Sequence, residues 1–174
     1  MKISQSQPLR IRRDRIGETV ILFFVGTARF AIAAQAVEEI REIDELQEFH
    51  FGSPHEKLDK VRQMFMRQGK TYFVVNAAEH FRLAPGNPAR LLVLRHAPGS
   101  VAVDSIERMQ EIHAIHELPD AFCGEERNWY RGLTLIRGQV VPVVRAESFL
   151  TKAEGTLLAA ALRSSRKNTG LVTA

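Results

Sequence analysis

The sequence predicts a mainly β protein built from two similar small β units. Short runs of β-branched and aromatic residues recur along the chain, and turns that contain glycine separate many of them. The run Val20 to Val25, the turn at Gly26 and the alternating residues Phe30 and Ile32 predict a first hairpin that ends at Gln35. Later segments repeat this order, which indicates an internal duplication.

Each predicted hairpin is followed by a charged segment with a narrow apolar seam. After the first hairpin, Val37, Ile40 and Ile43 recur every third residue among acidic and basic side chains. The second hairpin is predicted from residues 91–94, a turn at 98–100 and residues 101–103, and a similar seam follows it at Ile106, Met109 and Ile112. We expect a partner protein to be recognised at the first seam.

The segment between the two hairpins contains three further predicted elements. The spacing of Leu58, Val61, Met64 and Phe65 predicts an amphipathic helix that starts near Ser53 and Pro54. Residues 70–75 predict a strand, and residues 77–83 predict one short helical turn. The loop around residues 84–90 contains two prolines and a glycine, so we expect the boundary between the two subdomains there.

The last part of the chain predicts a strand and a terminal helix. Residues 137–144 place a glycine turn before a β-rich run, as residues 68–75 do. Pro142 lies in the later run and has no N–H group, which predicts an edge strand or a bend. Residues 151–163 are rich in alanine and leucine, with Glu154 early and Arg163 late, and predict a helix.

Composition and charge exclude several classes of protein. The longest apolar run, residues 20–25, is far shorter than the roughly 20 residues of a membrane span, and no apolar leader precedes a cleavage site. Cys123 is the single cysteine, so no intramolecular disulfide can form. Of the net charge of +4, residues 1–17 contribute +4 and residues 151–174 contribute +3, which leaves −3 for the rest. We therefore expect a cytoplasmic protein with a flexible basic arm at 1–17, and neither nucleic-acid binding nor membrane insertion.

Few residues have the spacing of a catalytic or metal site. His113 and His116 could share a helix face and bind a metal ion if Glu111 or Glu117 joined them. Asp104 and Cys123 could act as base and nucleophile, but Asp104 is better explained as an acceptor for backbone N–H groups at a turn, and no basic neighbour activates Cys123. The aromatic pair at residues 129–130 is better explained by core packing than by ligand stacking. We therefore predict no enzyme, and we keep a small-ligand or metal-binding β protein that uses His113 and His116 as the alternative.

From about residue 18 to residue 150 the chain resembles a CheW-like domain, the adaptor module of bacterial chemotaxis arrays that also forms the regulatory end of CheA histidine kinases. The family opens with a strand, a glycine turn, an aromatic-containing strand and a Val-x-Glu-Ile exit, and residues 37–40 read Val-Glu-Glu-Ile. Residues 137–143 resemble the family's Arg-Gly-x-x-x-Pro-Val element. Residues 103–106 resemble its Val-Asp-x-Val element.

The resemblance implies two intertwined five-stranded SH3-like β-barrels with short helices, no catalysis and no cofactor. It further implies an adaptor that binds the regulatory domain of a CheA-type histidine kinase and the cytoplasmic tip of a chemoreceptor. By position, the side facing the kinase would consist of Ile21, Ala34 and Val37. The side facing the receptor would consist of Glu39, Arg41 and Arg67. The domain would span residues 18–150, with a helix and tail at 151–174.

The first half of the chain departs from the family pattern. Arg67 is one residue farther from Gly69 than the family's Arg-Gly pair, and Phe73 and Asn76 replace a proline and an aspartate. In the second half Arg145 stands where an acidic residue is common. The family also has extended chain near Met64, so the resemblance predicts a strand from there onward, where the periodicity predicts a helix.

Overall fold

The structure is a computed structural model that describes residues 17–50, 58–95 and 97–169. It contains eleven strands and four helices within these ranges. The strands are β1 Glu18–Val25, β2 Ala28–Ala33, β3 Val37–Glu42, β4 Gln47–Glu48, β5 Val61–Arg67, β6 Lys70–Asn76, β7 Arg90–Leu94, β8 Gly99–Val103, β9 Ser105–Ile112, β10 Tyr130–Ile136 and β11 Gln139–Val144. The helices are α1 Ala77–His80, α2 Glu126–Trp129, α3 Ala146–Phe149 and α4 Lys152–Thr169, and a 3-10 turn spans Ala34–Ala36. The predicted mainly β class is confirmed.

The first hairpin lies in the middle of a five-stranded sheet with the order β10-β11-β2-β1-β9. Strands β1 and β2 pair antiparallel from Val20–Ala33 to Val25–Ala28, as the sequence predicts. Gly26 occupies the turn with a φ of +59°, a conformation that glycine adopts without steric cost. The hairpin is therefore the central element of this sheet, with β9 and β11 on its two sides.

The second sheet has six strands in the order β3-β7-β8-β6-β5-β4. The resemblance implies five strands, and the sixth is the two-residue β4, which pairs with β5 at Gln47–Met64 and Glu48–Gln63. Strands β6 and β8 run parallel, whereas the other pairs of this sheet are antiparallel. The mixed order follows because β7 and β8 form a hairpin that inserts beside β6.

The six-stranded sheet is formed by one continuous segment of the chain, inserted between the strands of the five-stranded sheet. Strands β1, β2 and β9 to β11 form the five-stranded sheet, and the intervening strands β3 to β8 form the six-stranded sheet. The chain changes sheet at the 3-10 turn Ala34–Ala36 and again at Asp104. The loop at 84–90, where we expect a boundary, connects α1 to β7 within the six-stranded sheet. The prolines of a segment indicate a loop, but they do not indicate which strands lie on either side of it.

The helix predicted from Leu58, Val61, Met64 and Phe65 is wrong. Residues 61–67 form β5, and its burial alternates only loosely because a register shift lies between Val61 and Gln63. Val61 and Phe65 are both buried and lie four residues apart, a spacing that also suits a helix, but they belong to different core clusters. The expected helix start near Ser53 lies outside the described residues, as does most of the basic arm at 1–17.

Pro142 lies in a strand that is not at the edge of its sheet. This strand is β11, but the ladder from β11 to β2 covers only Val143 and Val144. Pro142 therefore pairs on one side alone, with Leu133 of β10, and no ladder bond to β2 is lost there.

The terminal helix α4 extends beyond the predicted end at Arg163, to Thr169.

The largest core cluster joins both sheets and all four helices of the described ranges. Among its many residues are Phe23, Val75, Phe149 and Leu158, each 0% exposed, and Phe30, which is 5% exposed. The aromatic residues Trp129 and Tyr130 are 6% and 8% exposed and belong to the same cluster, which confirms the expected core packing. Strands from both sheets therefore share one hydrophobic core.

Candidate protein-interaction surface

An acid–base cluster joins β3 to β5, and we define it as Glu38, Glu39, Arg41 and Arg67. Nη1 of Arg67 donates a hydrogen bond to Oε1 of Glu38 at 2.9 Å, and Nη2 of Arg67 lies 3.1 Å from Oε2 of Glu39. Strand β3 stands first in the six-stranded sheet and β5 stands fifth. The contact therefore brings two strands that are far apart in the sheet order together, so the sheet is strongly curled.

Aromatic side chains lie beside the charged ones in this cluster. The guanidinium carbon of Arg41 lies 5.2 Å from the ring centre of Phe65, and Phe65 stacks on Tyr72 with 5.2 Å between ring centres. A cation over an aromatic face is attracted by the negative potential of the ring. Arg41 also lies 3.4 Å from the carboxylate of Asp44 on its other side. Its position on the surface is therefore fixed from two directions.

The charges of the cluster leave acceptor capacity at its acidic part. The hydrogen bond to Glu38 raises the pKa of Arg67 above its usual value, and the charges of Glu39 and Glu38 act in the same direction. Oε2 of Glu39 is buried and accepts no well-aligned hydrogen bond from the described residues, although it forms the ion pair with Arg67. Glu38 is exposed and Glu39 is half-buried. Glu38 and Glu39 thus share the guanidinium of Arg67, and their carboxylates can accept a hydrogen bond from a further donor.

The turn between β5 and β6 explains the offset of Arg67 from the family pattern. Gln68 and Gly69 have φ values of +48° and +75°, and Arg137 and Gly138 have +52° and +76° at the matching turn between β10 and β11. Gln68 therefore occupies the turn position that Arg137 occupies in the second copy. Arg67 becomes the last residue of β5, where its side chain reaches across to β3.

The residues assigned to the kinase side are mostly buried in this structure. Ile21 is 3% exposed and Val37 is 6% exposed, and both belong to the main core cluster, against which the half-buried Ala34 packs. The side chain that is accessible beside them is Met109, which pairs with Ile21 across the β1–β9 ladder and is 58% exposed. Ile40 of the first seam is 39% exposed.

The other residues singled out by the sequence are spread over the molecule. Asp104 accepts a hydrogen bond from the backbone N–H of Gly26 at 2.5 Å, as expected for a carboxylate at a turn. His113 follows the end of β9 and lies 3.8 Å from Glu111, whereas the backbone of His116 bridges to Leu133. Cys123 is exposed. His113 and His116 therefore lie in extended chain and do not share a helix face.

Residues 17–50, 58–95 and 97–169 hold no group of three or more histidine, cysteine, aspartate or glutamate side chains placed to bind a metal ion. In the same ranges, no helix has both the length and the apolar character needed to cross a bilayer.

The resemblance assigns Glu39, Arg41 and Arg67 to one side. In the structure Arg67 contacts Glu39, and Arg41, on the same strand as Glu39, lies over Phe65 of the strand that carries Arg67. The resemblance does not include Glu38, Phe65 or Tyr72, which complete the surroundings of Arg41 and Arg67. Glu38 stands inside the Val-Glu-Glu-Ile segment, so that motif could have indicated it. The periodicity predicts Phe65 in a helix, whereas the resemblance predicts a strand from Met64 onward. The strand forms and places Phe65 beside Arg41.

Comparison with known proteins agrees with this architecture. The sequence model of the CheW-like domain matches residues 19–154, and the chain belongs to this family of chemotaxis scaffold and adaptor domains. The crystal structure of the scaffolding protein TtCheW from Thermoanaerobacter tengcongensis superposes with a TM-score of 0.67 at 12% identity, covering 84% of this chain and 96% of that chain. At this identity the likeness shows the fold alone. A search of curated protein sequences gives no significant match.

Proposed function

We propose that this chain is a non-catalytic adaptor that couples a chemoreceptor to a CheA-type histidine kinase in chemotaxis-type signalling. The observation that carries the proposal is the acid–base cluster of Glu38, Glu39, Arg41 and Arg67, held at the surface of a CheW-like domain. Complementary charges of this kind set register and exclude wrong partners. The interacting module is residues 18–150, and its place in the cell is the cytoplasmic side of receptor arrays, reached through its partners.

The receptor binds at the acid–base cluster in this proposal. Glu39 and Glu38 accept hydrogen bonds from donors on the cytoplasmic tip of the receptor, and Arg41 presents a guanidinium whose position is already fixed by Phe65 and Asp44. Because these side chains are ordered before binding, little conformational entropy is lost on association.

The kinase binds at the neighbouring edge of the five-stranded sheet. Strand β9 is the last strand of that sheet, so one side of its backbone is free of ladder partners among the described strands. Met109 supplies the accessible apolar side chain there, the buried Ile21 pairs with it across the ladder, and Val37 packs in the same core cluster as Ile21. Ala34 and the exposed Gln35 lie where the chain leaves the same sheet. We therefore assign contact to Met109 and Ala34 and support to Ile21 and Val37.

Binding assays with two matched substitutions test both sides of the proposal. The cognate kinase regulatory domain and a soluble receptor tip fragment are mixed separately with the protein and sedimented. Met109→Glu should weaken kinase binding by about tenfold, because an interfacial charge is desolvated without a partner, and should leave receptor binding unchanged. Arg67→Glu should have the reverse effect.

Asp120→Asn serves as the control, since Asp120 is exposed in a loop away from both surfaces. The wild-type protein should bind both partners at concentrations on the order of tens of micromolar or below. Failure to bind either partner there would refute the adaptor proposal. Equal effects of Met109→Glu and Arg67→Glu on both partners would refute the division into two surfaces.

A further inference from the structure

A cavity of about 550 Å³ lies where α1, α2, α3 and the start of α4 meet, away from the acid–base cluster. Its volume is within the range of small-molecule sites in proteins. The charged side chains that line it are predominantly acidic: Asp59, Glu79, Glu125, Glu147 and Glu154, against Lys60 and Arg82. Neither of the two proposed protein-binding surfaces uses this cavity.

His80 lines the cavity and is one of the few buried polar side chains of the described residues. It is 5% exposed, and its ring centre lies 4.9 Å from that of Phe81, 5.0 Å from that of Trp129 and 4.8 Å from that of Phe149. Nε2 of His80 is buried and has no hydrogen-bond partner among the described residues. A buried polar atom without a partner is unfavourable, so this atom marks a place where a ligand group would stabilise the protein.

Burial keeps the His80 ring neutral. Loss of solvation, with a smaller contribution from the charge of Lys60, lowers the pKa of His80 to about 3. A neutral imidazole has one N–H group and one nitrogen lone pair. Nε2 can therefore accept a hydrogen bond when the proton lies on Nδ1.

The ion pairs around the cavity leave part of its negative charge unbalanced. Lys60 lies 2.9 Å from Glu154, Arg82 lies 3.1 Å from Glu125, and Glu79 lies 3.3 Å from Arg62 outside the lining. Within the described ranges Asp59 and Glu147 form no ion pair, and both are exposed at the cavity. Two carboxylates thus remain without a cation, which favours a positively charged ligand and disfavours an anion.

We propose that this cavity binds a small organic cation with one or two ammonium groups. One ammonium N–H donates to Nε2 of His80, and the carboxylates of Asp59 and Glu147 balance the charge. A metal ion suits the cavity less well, because the described residues contain no three-ligand group. The proposal goes beyond the adaptor function and does not depend on it.

Calorimetric titration with putrescine tests the charge requirement. Wild-type protein should bind putrescine saturably and 1,4-butanediol, its uncharged analogue, should give no saturable heat. The double variant Asp59→Asn, Glu147→Gln should weaken putrescine binding by about tenfold or more, because both unbalanced charges are removed. Asp120→Asn removes one exposed carboxylate elsewhere and should bind like the wild type. No saturable binding of putrescine, or equal binding to the double variant, overturns the proposal.

Nitrogen NMR of the histidine rings in the wild-type protein tests the role of His80. Putrescine should shift the Nε2 resonance of His80, and the Asp120→Asn variant should show the same shift. His80→Phe, which keeps an aromatic ring among Phe81, Trp129 and Phe149, should assign the resonance and lose most of the affinity. An unshifted Nε2 resonance at saturating putrescine would overturn the hydrogen bond to His80, whether or not the variant folds.

Discussion

Nη1 of Arg67 lies 2.9 Å from Oε1 of Glu38, and this hydrogen bond links the fifth strand of the six-stranded sheet to the first. Residues 29 positions apart in sequence thereby connect two strands that the order of backbone pairing keeps apart. The curl of the sheet therefore brings the charges of β3 and β5 together on one surface.

Exchanging the charges of this pair separates folding from recognition. Arg67→Glu should lower the unfolding midpoint slightly, because three carboxylates then lie together on an exposed surface, and Glu38→Arg in the same chain should restore it. The double variant should still bind the receptor about tenfold more weakly than the wild type, because a partner would meet the reversed charges. Thermal unfolding and receptor co-sedimentation measure the two effects. Full recovery of receptor binding would show that the partner does not read the signs of these charges.

Gly132 is required by a close approach of two chain segments. A Cβ atom at this position would collide with the carbonyl oxygen of His116 and lie 2.6 Å from Cγ2 of Ile115. Gly132→Ala should therefore lower the free energy of unfolding by about 1–3 kcal/mol, measured by urea denaturation. Gly155→Ala is the matched control, because α4 has open space there and alanine favours helices, so stability should stay equal or rise. A fully stable Gly132→Ala variant would contradict the packing of Ile115 and His116 on β10.

His80 makes stability depend on acidic pH. Its pKa is lowered to about 3 in the folded protein, against about 6.5 for an exposed histidine, so the unfolded chain binds the proton first as the pH falls. Folding stability from this residue is therefore complete above about pH 6.5 and declines toward pH 3, by at most about 1.4 kcal/mol per pH unit. Urea denaturation at several pH values measures the slope.

His80→Phe should remove most of this slope, whereas His113→Gln should keep it, because His113 is exposed. If stability depends on pH with equal slopes in the wild type and in His80→Phe, the imidazole is solvated and protonates as easily in the folded protein as in the unfolded chain.

The terminal helix packs on the core through the buried Leu158 and the half-buried Ala161 and Leu162. Leu158 is 0% exposed, while its neighbour Leu157 is 46% exposed. Leu158→Ala should lower the free energy of unfolding by about 2–5 kcal/mol, and Leu157→Ala should have little effect. Chemical denaturation followed by circular dichroism compares the two variants. Equal losses of unfolding free energy in the two variants would contradict the packing of the Leu158 face of α4 on the core.

Local sequence signals predicted most of the strands because the relevant information lies within a few residues. The runs at 20–25, 70–75 and 91–94 correspond to β1, β6 and β7, and the turns at Gly26 and Gly138 were correctly placed. For β5 the periodicity alone predicts a helix, because a register shift beside Val61 disturbs the alternation on which strand prediction depends, and the resemblance correctly predicts a strand from Met64 onward.

Pairing between distant strands could not be predicted in the same way. No local pattern states that β9 pairs with β1 or that β11 pairs with β2, and the resemblance to a family supplied the idea of intertwined units. For the site, the charge types of Glu39, Arg41 and Arg67 were predicted, but their contact depends on the curl of the sheet. The burial of Ile21 and Val37 also depends on that packing, and it is the reason that we propose Met109 for the kinase contact.

The insertion of the six-stranded sheet between β2 and β9 sets an order for folding during synthesis. The six-stranded sheet needs only the strands from Val37 to Val103, so it can form while later residues are still being translated. The five-stranded sheet holds the first hairpin but also requires β11, which ends at Val144. The nascent hairpin must therefore wait, with its apolar faces uncovered, until nearly the whole polypeptide has left the ribosome, and during that interval it is the segment most in need of a chaperone.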